Sequence, residues 1–288
     1  MTSNNKIHNP YLTIVMCLFM AISTFDSLAQ TFQGGSKEIG YQTGISYYLG
    51  DLNTNPIGGR NHLVQGGYFR HNINSRIGIR LQLLQGTIEA WDEDSQNAWS
   101  QNRNLHFRNK ITEFSVSGEI NYIDHVMGNT DDKLTGYLTA GIAYFTHDPE
   151  AQDNYGNWHP LQPLGTEGQG WTFGNDLYKL NGIALPFGMG FKFNLGPAIA
   201  FQMEWGLRKT WTDYLDDVST SYVNPVELRQ ARGVLALELA DRIIELPGEL
   251  SNSQGLQRGD PGLNDKYGYF LASIAFRVSK KPTSCWEQ

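Results

Sequence analysis

The run Glu38-Ile-Gly-Tyr-Gln-Thr-Gly-Ile-Ser-Tyr-Tyr-Leu-Gly50 alternates without interruption. Ile39, Tyr41, Thr43, Ile45, Tyr47 and Leu49 occupy one parity, and Gly40, Gln42, Gly44, Ser46 and Tyr48 the other. In extended backbone successive side chains point to opposite faces, so this segment is a strand with one oily face and one small or polar face. It is also long, since most strands of soluble proteins have only about five or six residues.

The pattern recurs along the chain. Ile77, Ile79, Leu81 and Leu83 alternate with Arg76, Gly78, Arg80 and Gln82, and Phe114, Val116, Ile120 and Tyr122 with Glu113, Ser115, Ser117, Glu119 and Asn121. Ile183, Leu185, Phe187, Met189, Phe191 and Phe193 oppose Gly188, Gly190 and Lys192; Ile199, Phe201, Met203, Trp205 and Leu207 oppose Gln202, Glu204, Gly206 and Arg208. Leu134 to Phe145 and Gly268 to Val278 add two segments, and Leu63 to His71 an eighth of poor contrast. The connections fall at 51–62, 72–75, 89–110, 124–133, 147–176, 194–197 and 212–264, so long and short alternate. An antiparallel sheet connected in this way carries its long loops at one end, as outer-membrane barrels do. The expectation is an all-β fold, an eight-stranded antiparallel transmembrane β-barrel with long extracellular loops. An extra hairpin in the last loop would raise the count to ten.

Alternation alone does not say which face is outer. A soluble sandwich or lipocalin-like barrel places apolar residues inside. Strand length, glycine and charge sharing one face, aromatics near strand ends (Tyr47, Tyr122, Tyr144, Trp205, Trp211) and the loop asymmetry favour the membrane orientation. Hydrocarbon offers backbone amides no water, so a sheet there must close on itself and face lipid with apolar side chains. Arg76, Arg80, Glu113, Glu119, Lys192, Glu204 and Arg208 then point inward. Eight strands leave a lumen just wide enough for side chains to fill, so these charges are expected to form a mutually neutralising plug with no wide pore.

Composition agrees with a folded, exported protein. The 288 residues are 40% hydrophobic and 18% charged, with 31 Gly, 14 Phe, 14 Tyr and 7 Trp, which excludes intrinsic disorder. A net charge of −7 and a pI of about 5.5 argue against nucleic acid as a partner. Lys6, the apolar run Leu12 to Ile22 and Ser27-Leu28-Ala29 read as a signal peptide over residues 1–29, leaving 30–288 as the barrel domain. Met16 before Cys17 argues against lipidation at that cysteine. Cys285 is then the only cysteine of the exported part, so no intrachain disulfide forms there.

Few residues form a chemical constellation. There is no phosphate-binding glycine loop, metalloprotease helix motif or nucleophile elbow. The histidines after the signal segment (His62, His71, His106, His125, His147, His159) have no metal-ligand spacing, and only His147 and Ser46 could meet as a base and nucleophile. No catalytic residue and no cofactor are expected. Asp51, Asp213, Asp216, Asp217, Asp260 and Asp265 lie at the loop ends of the first, seventh and eighth strands, which closure places side by side. They read as a network with Arg208, Lys209, Arg242, Arg258 and Lys266 pinning the last loop to the rim; the alternative is a calcium site. In that loop Leu228, Ala231, Leu235, Leu239, Arg242 and Leu246 have helical spacing, which predicts a capping helix over 226–246.

Several motifs resemble the PorG-like outer-membrane barrels of type IX protein secretion. They are Ile45-Ser-Tyr-Tyr-Leu-Gly-Asp-Leu-Asn53, Leu161-Gln-Pro-Leu-Gly-Thr-Glu-Gly-Gln-Gly170, Ile183-Ala-Leu-Pro-Phe-Gly188, Glu204-Trp-Gly-Leu-Arg-Lys-Thr-Trp-Thr-Asp-Tyr-Leu-Asp-Asp-Val-Ser219 and Leu239-Ala-Asp-Arg242. The Arg208 to Ser219 run is the most specific. The resemblance implies a non-catalytic outer-membrane component of the secretion and gliding apparatus, tied to a periplasmic ring of PorK and PorN. It brings no catalytic residues. Asp124 to Lys133 is the longest of the short turns, and Asp131, Asp132 and Lys133 are its candidate docking residues. A small passive pore and a lipid-modifying barrel enzyme are the alternatives from other functional classes.

Overall fold

A computed structural model of the chain describes residues 35–53, 60–129, 131–172, 174–243 and 253–278. The signal-peptide reading over 1–29, with Cys17, and Cys285 lie outside these residues. Each alternating segment is a strand: β1 (Ser36–Leu49), β2 (Asn61–Asn72), β3 (Ile77–Trp91), β4 (His106–Asn121) and β5 (Leu134–Thr146) come first. A small hairpin, β6 (Pro149–Gln152) and β7 (Trp158–Pro160), precedes β8 (Asn181–Asn194), β9 (Ile199–Thr210) and β10 (Lys266–Arg277). Among the described residues three short α-helices sit in loops, α1 (Ala98–Arg103), α2 (Pro225–Arg232) and α3 (Val234–Ala240).

All barrel neighbours are antiparallel, in the order β1, β2, β3, β4, β5, β8, β9, β10, and β10 returns to pair with β1. Tyr41 faces Ile274 and Ser46 faces Tyr269 across this closing seam, so the barrel has no open edge. The count is eight. Among the described residues the last loop adds no hairpin to the wall; a small hairpin lies instead in the β5–β8 loop, where β6 pairs with the end of β4 through Arg108 and Glu150 and stays out of the barrel wall.

The oily parity faces outward. Ile39, Tyr41, Ile77, Ile79, Leu83, Phe114, Ile120, Leu138, Ile142, Met189, Phe191, Ile274 and Phe276 are 43 to 61% exposed. A soluble monomer rarely shows more than a few hundred Å² of contiguous apolar surface, whereas this band runs around the barrel. The polar parity is buried, and glycine makes room for it: a Cβ on Gly40 would lie 2.3 Å from Cζ of the inward Tyr68 ring.

Near the loop end the polarity of the wall reverses. Along β3 the inward residues become Leu84, Ile88 and Ala90, all buried, while Gln85 and Thr87 face out. Phe107 and Ile111 face in on β4, with Lys110 and Thr112 outside. Register aligns the two reversals, since Leu83 pairs with Phe114 and Gly86 with Ile111. The upper barrel therefore has a dry core, in which Leu84, Ile88, Phe107, Ile111, Phe145 and Tyr267 pack with Leu215, Val218 and Leu239 from the last loop. The segment 89–110 is strand at its two ends, because β3 runs on to Trp91 and β4 starts at His106 as an overhang beyond the apolar band, with α1 in the loop between them.

The capping helix over 226–246 is two helices among the described residues. Asn224 caps α2 by accepting from the amides of Val226 and Glu227, with Pro225 following. Gly233, at φ 90°, breaks the helix where the chain turns into α3. Leu228, Ala236, Leu239 and Ala240 are buried, but Ala231 is exposed, and Leu246 lies outside the described residues.

Candidate functional site

The lumen is filled by paired charges. Glu119 is the hub: Arg70 Nε lies 2.8 Å, Arg80 Nη1 3.2 Å and Lys192 Nζ 2.7 Å from its carboxylate. Arg80 also makes a two-point contact with Glu204, at 2.6 and 3.0 Å. Arg208 donates to Glu113 at 3.1 Å. Arg70 further donates to Glu38 at 2.7 Å and to the Gln202 side-chain oxygen at 2.7 Å. Tyr137 donates to Glu204 and Tyr267 to Glu113, so phenols occupy lone pairs that the cations leave. Each cation also faces an aromatic ring: Arg70 and Arg80 that of Tyr68, Lys192 that of Tyr137 and Arg208 that of Tyr269. Arg70, Arg80, Lys192 and Arg208 balance Glu38, Glu113, Glu119 and Glu204, as burial of charge requires.

Arg76 is not part of this plug. It stands in the turn before β3, more than half exposed, and pairs with Asp124 at 3.0 Å. Its parity is inward, but the strand stops at Ile77, so parity no longer directs the side chain. Glu38 and Arg70, which the alternation reading left out, belong to the network. Both were within reach of parity: Glu38 is two residues before Gly40 on the same face, and Arg70 shares the face of Tyr68 in the low-contrast segment.

At the loop end the rim acids are brought together with partners from four loops. Tyr48 hydroxyl lies 2.5 Å from Asp216 Oδ2 and 2.6 Å from Asp265 Oδ1. Asp265 accepts from the Leu215 amide and Asp216 from the Val218 amide. Asp217, at φ 66°, accepts from Thr166 and Tyr178 and faces Arg258 at 3.6 Å. Glu167 accepts from the amides of Ser219 and Thr220 and from Arg258. Arg103, at the end of α1, clamps Asp92 with two hydrogen bonds and donates to the carbonyls of Asp51 and Arg258. Asp51 in turn accepts from the Asp260 amide.

The electrostatics of the cap are those of crowded, buried acids. Burial first, then the opposing carboxylate, holds Asp216 well above the ordinary carboxylate range. Burial does the same to Asp265. Burial lifts Asp217 to about 6 against the pull of Arg258. It lifts Asp213 to about 7 against the pull of the Ser219 side chain, with Asp51, Glu167 and Asp260 adding to the rise. Neither carboxylate oxygen of Asp213 has a hydrogen-bond partner of normal geometry.

Of the cations expected to pin this cluster, Arg258 does so. Arg208 points down to Glu113, Arg242 donates to the Gln152 carbonyl, and Lys209 and Lys266 stand on the outward parity of β9 and β10. Arg103, Asp92 and Glu167 were missed because they lie in loops, where no periodicity marks direction. Among the described residues no group of three or more acids, histidines or cysteines is arranged to hold a metal ion. Ser46 and His147 do not meet: Ser46 donates to the His62 and Thr87 carbonyls, and His147 contacts Asn109 and the Lys179 carbonyl. Burial also depresses the His147 imidazole to about 4. In the β4–β5 turn, Asp132 accepts from the Val126 amide and Asn129, while Asp131 and Lys133 are exposed.

Solved structures with a similar arrangement include the neisserial surface protein NspA, at 8% identity and a TM-score of 0.42, covering 85% of this chain and 100% of that one. Ail of Yersinia pestis gives 9% identity and a TM-score of 0.41 with 85% and 100% coverage, and OprG of Pseudomonas aeruginosa 9% and 0.38 with 86% and 99%. No curated protein matches the sequence. The sequence profile of a family described as a domain of unknown function, DUF6089, matches residues 12–159. That span takes in the first strands, the α1 loop and most of the lumen hub, and the chain belongs to the DUF6089 family.

Proposed function

We propose that the chain is a non-catalytic, non-conducting barrel of the outer membrane and serves the type IX secretion and gliding machinery, linking that membrane to a periplasmic ring of PorK and PorN type. The outward apolar band supports the membrane placement. The observation that carries the finer reading is the convergence of the PorG-like motifs. Tyr48 and Asp51, Thr166 and Glu167, Asp216 and Asp217, and Ala240 come from separate motifs and meet in one cap around Arg258 and Asp265. The resemblance therefore falls on a folded unit rather than on scattered strands. A filled lumen and separated Ser46 and His147 count against a pore and against a barrel hydrolase.

In this orientation the short turns face the periplasm, and the β4–β5 turn presents Asp131 and Lys133 to it. The test is co-purification from detergent-solubilised envelope. Replacing Asp131 and Lys133 with Ala leaves Asp132 to hold the turn, and is expected to reduce the ring proteins recovered while the barrel still folds. Unchanged recovery rejects this turn as the contact; recovery of no ring protein with the unaltered chain rejects the secretion assignment.

A further inference from the structure

Lys209 and Lys266 sit directly opposite one another on β9 and β10. Both share the outward parity of Leu207, Trp205 and Phe270, at the loop end of the apolar band. Like charges directly opposed across two strands destabilise a sheet, and no ion pair among the described residues relieves this one. Below the pair the wall is aromatic and closely fitted. Tyr47 lies flat over Gly268, where a Cβ would come within 2.1 Å of its ring, and Phe270 stands 5.6 Å from Tyr47 and 6.5 Å from Trp205 between ring centres. Above it, a groove of about 310 Å³ is lined by Lys179, Ile183, Trp211 and their neighbours, with Trp211 56% exposed.

A paired cation over an aromatic, apolar wall is complementary to an anionic headgroup with attached chains. We propose that this wall of β8, β9 and β10 holds a phosphate-bearing lipid of the outer leaflet. The phosphate sits between Lys209 and Lys266, and the acyl chains lie along Trp205 and Phe270. The inference rests on the membrane reading and adds a specific ligand to it. Long basic side chains at such a boundary extend toward the headgroups while their stems stay on apolar surface.

The full chain, purified and reconstituted into phosphatidylcholine vesicles with or without phosphatidylglycerol, is re-extracted in mild detergent, and its retained lipid is identified by native mass spectrometry. The unaltered protein is expected to retain phosphatidylglycerol in preference to phosphatidylcholine. K209Q/K266Q should lower that retention by about tenfold, the two cations each contributing near the surface, while K209R/K266R keeps it. Equal retention by the Gln variant, or no preference in the unaltered protein, overturns the inference. Displacement of the lipid by inorganic phosphate alone also overturns it, since chains on the aromatic wall should hold the lipid in place. If the protein inserts into neither kind of vesicle, the membrane reading itself fails; insertion into both without preference rejects the lipid site only.

Discussion

Tyr48 has one phenolic hydrogen and two carboxyl groups in reach, Asp216 and Asp265. The hydroxyl donates to one and must accept from the other, so one acid of the pair carries a proton. Asp213 and Asp217, lifted to about 7 and about 6, extend this protonated character across the cap. An acid whose folded value is raised contributes stability that is full below its unfolded value, near 4, and is lost as pH rises through the folded one. The cap is therefore tightest on the acidic side and loosens as pH climbs through 6 and 7. Hydrogen exchange at the Leu215 and Val218 amides, corrected for intrinsic rates, reads this directly, and protection is expected to grow as pH falls from about 8 to about 5. Asp213→Asn should flatten the upper part of that dependence and strengthen the cap at pH 8 by about 1 to 3 kcal/mol, because the amide carries no charge to be desolvated or repelled by Asp51, Glu167 and Asp260. An unchanged profile in the Asn variant would show that Asp213 is not the titrating group.

The strands divide at Leu83 and Phe114 into a lower part, oily outside, and an upper part, oily inside. If lipid covers only the lower part, a lysine there and a lysine above the reversal must differ in cost. Leu138, 61% exposed on β5 and opposite both Ile120 and Met189, lies within the band. Leu138→Lys is expected to destabilise the reconstituted protein by about 2 to 4 kcal/mol. Gln85→Lys, two residues beyond Leu83 on the same outward face, should change stability by less than about 0.5 kcal/mol. Urea unfolding from vesicles compares the two, and equal costs would remove the lipid boundary from this level. The reversal also explains which part of the fold was legible. Period-two alternation located all the barrel strands, including the low-contrast β2, and named most of the lumen charges. It stopped short on β3 and β4 because the apolar residues change parity between Leu83 and Leu84 and between Ile111 and Phe114, which reads as the end of a strand. The cap was legible only as a crowd of acids. Its partners Arg103, Glu167 and Asp92 are chosen by loop packing across long sequence separations, which no local period encodes.

Two seals lie in series along the barrel. The lower is the ion-paired plug around Glu119 and Glu204; the upper is the dry core of Leu84, Ile88, Phe107, Ile111 and Tyr267 beneath the loop cap. They are held by different physics, so they should fail separately. Removing the hub charge with Glu119→Gln leaves Arg70, Arg80 and Lys192 with one carboxylate too few, and breaking a buried pair in this way costs about 3 to 5 kcal/mol. The unfolding midpoint in urea is therefore expected to fall markedly. Conductance is expected not to rise, because the apolar core above the plug still excludes water and ions. Planar bilayers should show no stepwise current for the unaltered protein or for Glu119→Gln. Current appearing in Glu119→Gln alone would mean that the plug is the sole barrier and that the upper core is permeable. Steady current through the unaltered barrel would contradict the neutral, filled lumen from which the non-conducting role is argued.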